Sequence, residues 1–227
     1  MILMNLFETF DPSTSMLYSL NWLIFSSLFL IMPMIMWMKP NQLNISMLLI
    51  TNIFFYEFLN LTSKKFKNNI IIFYNLFMMI MILNLISLFP YIFTMTSHIS
   101  LNLIIAIPLW LSFIMFMMFN TPLNLLIHLV PLNTPSMLMN FMVLIELISN
   151  IIRPWTLSIR LMANMIAGHL LLTLLGSFIL YLSEMFIQFS MLLLIQMLLL
   201  ILEISVAIIQ AYVFSILMTL YFSESKY

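Results

Sequence analysis

The chain has 227 residues, of which 64% are hydrophobic and only 6% are charged. A soluble domain of this length would carry several times more charge, so the composition predicts an integral membrane protein. Its apolar runs do not alternate with polar residues, which favours membrane helices over the strands of a β-barrel. The net charge is zero and cysteine is absent, so we expect neither a nucleic-acid partner nor thiolate metal sites.

The first predicted membrane span covers residues 17–38, which are apolar over a length sufficient to cross a bilayer. Acidic rather than basic residues precede it, so we expect no cleavable presequence. Residues 43–61 are apolar but contain several polar side chains, and lysines lie on both sides of them. The positive-inside rule puts both ends on one face of the membrane. We therefore predict a helix lying at the interface, with a further span as the alternative.

Two more spans are predicted at residues 69–89 and 99–119. The loop between them contains a proline and a tyrosine, which suit a membrane surface. Residues 120–135 contain three prolines and cannot form one regular helix.

The last part of the chain predicts two unusually long helices. From residue 136 to about 180 the one strong breaker is Pro154, and from about 184 to 222 there is none. At about 1.5 Å per residue these helices would be roughly 60 Å and 55 Å long, whereas the bilayer core is about 30 Å thick. They fit a membrane only as a steeply tilted hairpin.

The predicted architecture is an all-α integral membrane protein with about five crossing helices and one interfacial helix. Residues 1–227 are interpreted as a single membrane domain. Within it, residues 1–135 supply the early spans and the interfacial helix, and residues 136–227 form the hairpin. An odd number of crossings places the termini on opposite faces, with the lysine-bearing loops on the face of the C-terminus.

A polar stripe runs along the first hairpin helix, because six residues fall within about 40° of one direction at 100° per residue. They are Glu146, Asn150, Arg153, Arg160, Asn164 and Gly168. His169 falls about 140° from Glu146, on another face. Ala163, Asn164, Ala167 and Gly168 also place small residues four apart, a spacing that lets another helix approach closely.

The second hairpin helix has a stripe of its own. Gln196, Glu203 and Gln210 are seven residues apart, with Ala207 beside them. A charged residue at the centre of a bilayer costs about 3 kcal/mol, so several such residues indicate function more than chance. Arg153 also has a purely structural interpretation, because it can pair with Glu146 one heptad earlier.

The residue types in the stripes predict proton chemistry. Arginine keeps its proton and cannot relay one, whereas glutamate and histidine can. A permanent cation between titratable groups suggests two proton pathways divided by a barrier. A mobile carboxylate would then have to carry the proton past that barrier. No carboxylate of this chain suits that role, so we expect it on a partner subunit.

Four segments resemble subunit a of the F-type ATP synthase, in its mitochondrially encoded form. They are "TLSIRLMANMIAGHLL", "LEISVAIIQAYVFSILMTLYF", "MNLFETFDPS" and "LIIAIPLW". The likeness covers nearly the whole chain and is weakest between residues 40 and 75. The combined motif is specific. It consists of an arginine followed by asparagine and Gly-His on one helix, and of Glu and Gln seven residues apart on the next.

The resemblance implies a role for each matched residue. Arg160 matches the essential stator arginine that faces the carboxylate of each c-ring subunit, and Asn164 lies one turn along, toward the same ring. Glu203 and His169 match groups of the half-channel from the intermembrane space. Glu146 matches an acidic group of the matrix half-channel. Gln210 matches a residue that supports the position of the arginine.

Arg153 and Gln196 are possible members of the path, without an assigned role. The resemblance also implies a multi-pass protein of the mitochondrial inner membrane, with its N-terminus in the intermembrane space and its C-terminus in the matrix. Its partners would be the c-ring proteolipids, other membrane-sector and peripheral-stalk subunits, and lipid. The chain lacks a Gly-rich phosphate loop, so we expect it to serve the enzyme without a nucleotide site. We also expect no cofactor and no metal.

Three other functions are consistent with a polar membrane bundle. A transporter or redox-linked proton pump subunit usually carries proton relays on several helices, and here the early spans have none at depth. A membrane cytochrome needs histidine pairs on facing helices, and only His169 is placed at depth on a helix. A purely structural subunit would not explain two polar stripes.

Overall fold

The computed structural model describes residues 7–14, 18–31, 41–62, 68–89, 92–130, 135, 138–182 and 186–224. Every regular element in these residues is helical, as predicted. The α-helices are α1 (Ile24–Ile31), α2 (Gln42–Leu61), α3 (Ile70–Ser87), α4 (Ile99–Asn120), α5 (Pro122–His128), α6 (Met139–Tyr181) and α7 (Phe186–Glu224). Short 3-10 helices occupy Glu8–Phe10, Leu20–Leu23 and Met95–Ser97.

Four of the described helices, α3, α4, α6 and α7, are long and apolar enough to cross a membrane. The span predicted at residues 17–38 is described only in part, as α1 and the 3-10 turn before it, and its second half lies outside the described residues. Helix α2 forms where the interfacial helix was predicted, and it is not among the four candidate spans. Its position relative to the membrane stays a prediction.

The two long C-terminal helices are confirmed. Helix α6 has 43 residues and α7 has 39, which corresponds to about 64 Å and 58 Å. Pro154 lies inside α6 without ending it. The helices are antiparallel, because Gly168 in the second half of α6 meets Glu203 near the middle of α7, while Arg153 in the first half meets Glu224 at the end of α7. The tilt of the hairpin stays a prediction.

Helix α3 is the centre of the bundle. More than half of its residues are buried, a larger share than in any of the other three candidate spans. Phe73 of α3 packs against Phe113 of α4 and Phe222 of α7, with ring centroids 6.0 Å and 5.3 Å away. Ala207 and Ala211 lie on the same face of α7 as Phe222 and are almost fully buried. The Ala207 carbonyl accepts a hydrogen bond of 3.4 Å from Nδ2 of Asn84 on α3. Such small side chains allow the two helix backbones to approach closely.

Aromatic and polar contacts hold helix α2 against the bundle. Its Phe54 ring lies 4.5 Å from that of Phe77 on α3. The Tyr212 hydroxyl of α7 donates a hydrogen bond of 3.1 Å to Oε2 of Glu57 on α2. Glu57, one of the polar residues of this segment, therefore links α2 to the hairpin, and the sequence alone does not reveal this bond.

The connection between α3 and α4, which was predicted to lie at a membrane surface, is packed against the helices of the bundle. Residues 93–97 are buried against α3, α4 and α6. Hydrogen bonds to several of its polar groups offset part of the cost of burying the loop, while the Thr96 hydroxyl has no partner among the described residues. Asn102 donates to the Thr96 carbonyl at 2.8 Å, and the Thr94 hydroxyl donates to Oγ of Ser97 at 2.9 Å. The His98 ring packs against the rings of Trp22 and Phe93.

The described part of the proline-rich region is not one regular helix, as predicted. Helix α5 begins at Pro122, where the missing N–H of proline costs no helical hydrogen bond. It ends at His128, whose side chain, like Glu184 before α7, lies outside the described parts of the structure.

Candidate functional site

A cavity of about 270 Å³ lies between α6, α7 and the end of α3. Its polar lining residues are Asn164, His169 and Glu203, and Gly168 forms part of its wall. The other lining residues are apolar, including Leu88 at the end of α3. Three of the residues predicted for the proton path are thus brought together by the antiparallel pairing of α6 and α7.

The Glu203 carboxyl group is the most buried charged side chain in the described structure, with 7% of the residue exposed. Neither carboxylate oxygen has a hydrogen-bond partner among the described residues. Buried polar groups are normally paired, and an unpaired one is costly, so such a group points to a functional role.

Gly168 makes room for this carboxyl group. A Cβ atom at residue 168 would lie 2.8 Å from Oε1 of Glu203 and 3.1 Å from its Cδ. These distances are too short for ordinary contact, so Glu203 can adopt its position only opposite a glycine. The other glycine of the chain, Gly176, has open space where its Cβ would be.

His169 lines the same cavity, although helical geometry puts it on a different face from Glu146. Its Nε2 atom is buried and has no hydrogen-bond partner in the described structure. The cavity reaches both faces of α6 because Gly168, between Ala167 and His169, contributes no side chain. Two groups able to exchange protons therefore share one space.

The N-terminal segment contacts His169, a contact that the sequence alone did not predict. The Phe10 ring meets the His169 ring edge to face, with centroids 6.3 Å apart. The next residue, Asp11, accepts a hydrogen bond of 3.0 Å from the Ser13 backbone N–H, which lowers the pKa of the Asp11 carboxyl group. An ionised acid consequently follows directly after the ring that covers His169.

Arg160 lies outside the cavity, on an exposed stripe of α6. The exposed residues of α6 between 156 and 178 are Thr156, Ile159, Arg160, Ala163, Ala167, Leu171, Leu174, Ser177 and Phe178. Arg160 is the only charged member, and it has no ion pair or hydrogen bond to any described residue. Ala167 and Leu171 also line the cavity, so the cavity borders the stripe.

Arg153 is paired, unlike Arg160. Its Nη2 atom lies 3.6 Å from Oε1 of Glu146, which is the contact predicted from the heptad spacing. Its Nη1 atom donates to Oε2 of Glu224 at 3.0 Å, and its guanidinium lies 5.2 Å from the centre of the Tyr221 ring. Glu224 and Tyr221 are more than 60 residues away in sequence, so helical periodicity could not reveal them.

The two glutamines of the α7 stripe are both half-buried, and neither lines the cavity. Two contacts align the helices: Gly168 meets Glu203, and Arg153 meets Glu224. Arg160 on α6 and Gln210 on α7 both lie between these two contacts. Since the helices are antiparallel, Gln210 and Arg160 occupy the same stretch of the hairpin. Gln196 is half-buried and is not among the residues that line the cavity.

Sequence comparisons find relatives over nearly the whole chain. Residues 15–223 match the family described as the ATP synthase A chain. The chain is 52% identical to ATP synthase subunit a of Apis mellifera ligustica over 225 residues, covering 99% of this chain and 98% of that protein. It is 50% identical to ATP synthase subunit a of Locusta migratoria and 49% identical to that of Drosophila melanogaster, each over 97% of this chain and 98% of the relative.

Proposed function

This chain belongs to the ATP synthase subunit a family, and on that premise we propose that it forms two offset proton half-channels against a rotating c-ring. Proton translocation in the membrane sector of the ATP synthase is the function of the family. The proposal concerns how the residues described above carry it out.

The observation that carries the proposal is the placement of Glu203, His169 and Arg160 on one hairpin. Glu203 and His169 share a cavity of about 270 Å³, and a water molecule occupies about 30 Å³ in the liquid, so several fit. The cavity borders the exposed stripe on which Arg160 stands. A proton can therefore travel from water to Glu203 and on to a partner seated against the stripe.

Arg160 serves as the barrier and as the partner of the ring carboxylate. Its guanidinium cannot pass a proton on, because it stays protonated under biological conditions. An uncompensated charge inside a membrane costs about 3 kcal/mol on insertion scales, which favours a carboxylate of opposite charge beside it. Ala163 and Ala167, exposed on the same stripe, leave room for a ring helix to approach.

The proton then follows a fixed order. It reaches a ring carboxylate through His169 and Glu203, and the neutralised site can rotate into lipid at low cost. The next arriving site loses its proton beside Arg160, and that proton leaves toward Glu146. Asn164 and Gln210 flank the arginine as polar neighbours. Each charge that crosses about 100 mV supplies about 2.3 kcal/mol, which rotation of the ring transmits to the catalytic head.

We place the chain in the mitochondrial inner membrane, because its relatives are the ATP synthase subunit a of insects. In this orientation the N-terminus faces the intermembrane space and the C-terminus faces the matrix. The partners are the c-ring proteolipids, other membrane-sector and peripheral-stalk subunits, and lipid. Residues 1–135 and 136–227 act as one membrane domain, and the nucleotide sites belong to other subunits.

The fixed charge is tested with Arg160→Ala and Arg160→Lys in the assembled complex, reconstituted in vesicles. Both variants are expected to lose proton-driven ATP synthesis, the alanine because the charge is gone and the lysine because a lysine in a dry site can release its proton. Thr156→Ala, one turn away on the same stripe, is the control and is expected to retain synthesis. Normal synthesis by either Arg160 variant would reject the proposal.

A further inference from the structure

Arg153 is the one cation in the described part of the hairpin to which the proposed proton path gives no task. Its guanidinium contacts two acids on two helices: Glu146 of its own helix at 3.6 Å, and Glu224 at the end of α7 at 3.0 Å. The Tyr221 ring lies beneath it at 5.2 Å. Arg153 thus links Glu146, the acid assigned to proton release, to the last turn of α7.

The two helix segments that Arg153 joins differ in how firmly they are packed. The end of α7 is fixed without the ion pair, because Phe214, Met218 and Phe222 are buried in the core around α3. The first part of α6 is not. Between residues 139 and 153 none of its described side chains is buried, and Pro154 is its first buried residue. Glu146 lies in this weakly packed part.

Energy magnitudes argue against a role in fold stability. The side chains of Arg153, Glu146 and Glu224 are 32%, 33% and 61% exposed. Ion pairs this exposed contribute about 0.2–1 kcal/mol, which is small beside the buried aromatic packing of α7 on α3. A contact that adds little stability can still fix the position of a side chain on an otherwise loosely held helix.

We propose that Arg153 is a positioning residue for proton release: it uses the rigid end of α7, through Glu224 and Tyr221, to hold the Glu146 carboxylate in place. The inference rests on the proposed function, in which Glu146 receives the proton. Glu224 then acts on proton flow at a distance, through Arg153, and contacts no other group of the path.

The test compares variants of the assembled complex for ATP-driven proton pumping per assembled complex, with assembly measured separately. Glu224→Gln is expected to reduce pumping about two- to fivefold, the factor that corresponds to a partly exposed ion pair, and to leave assembly unchanged. Arg153→Gln is expected to reduce it at least as much. Arg153→Lys should restore part of the loss, because a lysine supplies the charge without the two-sided geometry of the guanidinium. Ser223→Ala is the control in the same turn, since that hydroxyl bonds only to the Leu220 carbonyl of its own helix.

A charge-exchanged double variant, Arg153→Glu with Glu224→Arg, separates positioning from general damage. It restores an ion pair between α6 and α7 but puts an acid in place of the cation beside Glu146, so pumping should stay as low as in Arg153→Gln. Recovery to the level of the unmodified complex would show that the link between the helices matters and that positioning of Glu146 does not. Unchanged pumping in Glu224→Gln, or loss of assembly without loss of pumping per complex, would overturn the proposal. Glu146→Gln is measured alongside. If this variant also leaves pumping unchanged, the proposed release path is wrong. If Glu146→Gln strongly reduces pumping and Glu224→Gln does not, only the role of Arg153 is rejected.

Discussion

Gly168 and Glu203 depend on each other at the scale of single residues. The carboxyl group occupies the space that any larger residue at position 168 would fill, with 2.8 Å between its Oε1 and the position of a Cβ atom. Because the contacting atoms are the flexible end of the Glu203 side chain, an added methyl group would push the carboxyl aside without unfolding α6. The position of a proposed proton carrier is therefore set by the absence of a side chain on the facing helix.

We expect Gly168→Ala to lower proton-driven ATP synthesis severalfold while the complex still assembles. Gly176→Ala is a matched control, because it makes the same change in the same helix where the Cβ meets nothing within 4 Å. Both changes favour the helix by up to about 1 kcal/mol, so a difference between them reports on Glu203 alone. Adding Glu203→Asp to Gly168→Ala shortens the acid by one methylene group and should recover part of the activity. Equal synthesis in the two glycine variants would contradict this account.

Glu203→Gln tests the same site from the other helix. The amide has nearly the same shape but cannot exchange a proton, so we expect proton uptake to slow markedly with assembly unchanged. Proton flux through the membrane sector, measured in vesicles from which the catalytic head has been removed, gives the result directly. Flux equal to that of the unmodified complex would take Glu203 out of the path.

At the scale of helices, α7 has two different halves. From Ala211 to Phe222 it is packed in the core around α3, whereas most residues from 187 to 202 are exposed. The buried half depends on small residues, since Ala211 has no exposed surface. The α3–α7 contact therefore sets the position of the hairpin, and with it the position of the cavity wall.

Ala211→Leu should damage this contact. Overpacking a tight interior costs about 1–3 kcal/mol, so we expect less of the subunit in the purified complex and dissociation at a lower temperature. Ser190→Leu, which adds similar bulk on the exposed half of α7, is the control and is expected to have little effect. If the complexes of the two variants dissociate at the same temperature, the α3–α7 contact is not closely packed.

At the scale of the whole molecule, one charged residue stands on a broad apolar surface. The stripe of α6 from Thr156 to Phe178 is exposed and carries Arg160 alone among charged residues. Both lipid and a partner helix suit its apolar members, but only a partner with a negative group suits the arginine. We therefore expect this stripe to face the ring and the exposed side of α4 to face lipid.

Cross-linking can identify the face that meets the ring. The chain contains no cysteine, so each introduced cysteine is the only one in it. Ala163→Cys, one turn from Arg160, should cross-link to a cysteine placed beside the ring carboxylate. Ile104→Cys on α4, whose residue is 71% exposed, should not. Cross-linking at residue 104 with none at residue 163 would show that the ring meets α4 and not the exposed stripe of α6.

Sequence alone determined the class of the protein, its long helices and most of its candidate site. The length of each apolar segment and the scarcity of helix breakers can be read from neighbouring residues in the sequence. They are therefore sufficient to predict the all-α fold and the two long helices α6 and α7. Polar residues seven apart likewise exposed the candidates Arg160, Glu203 and Gln210 without any tertiary information.

Tertiary structure decided which candidates meet. The Arg153–Glu224 pair, the space for Glu203 opposite Gly168, and the buried loop at residues 93–97 join segments far apart in the chain. Helical periodicity fixes the direction of a side chain only relative to its own axis. The separation between Arg160, which is exposed, and Arg153, which is paired, depends on how a second helix packs against the first, and one helix cannot specify that.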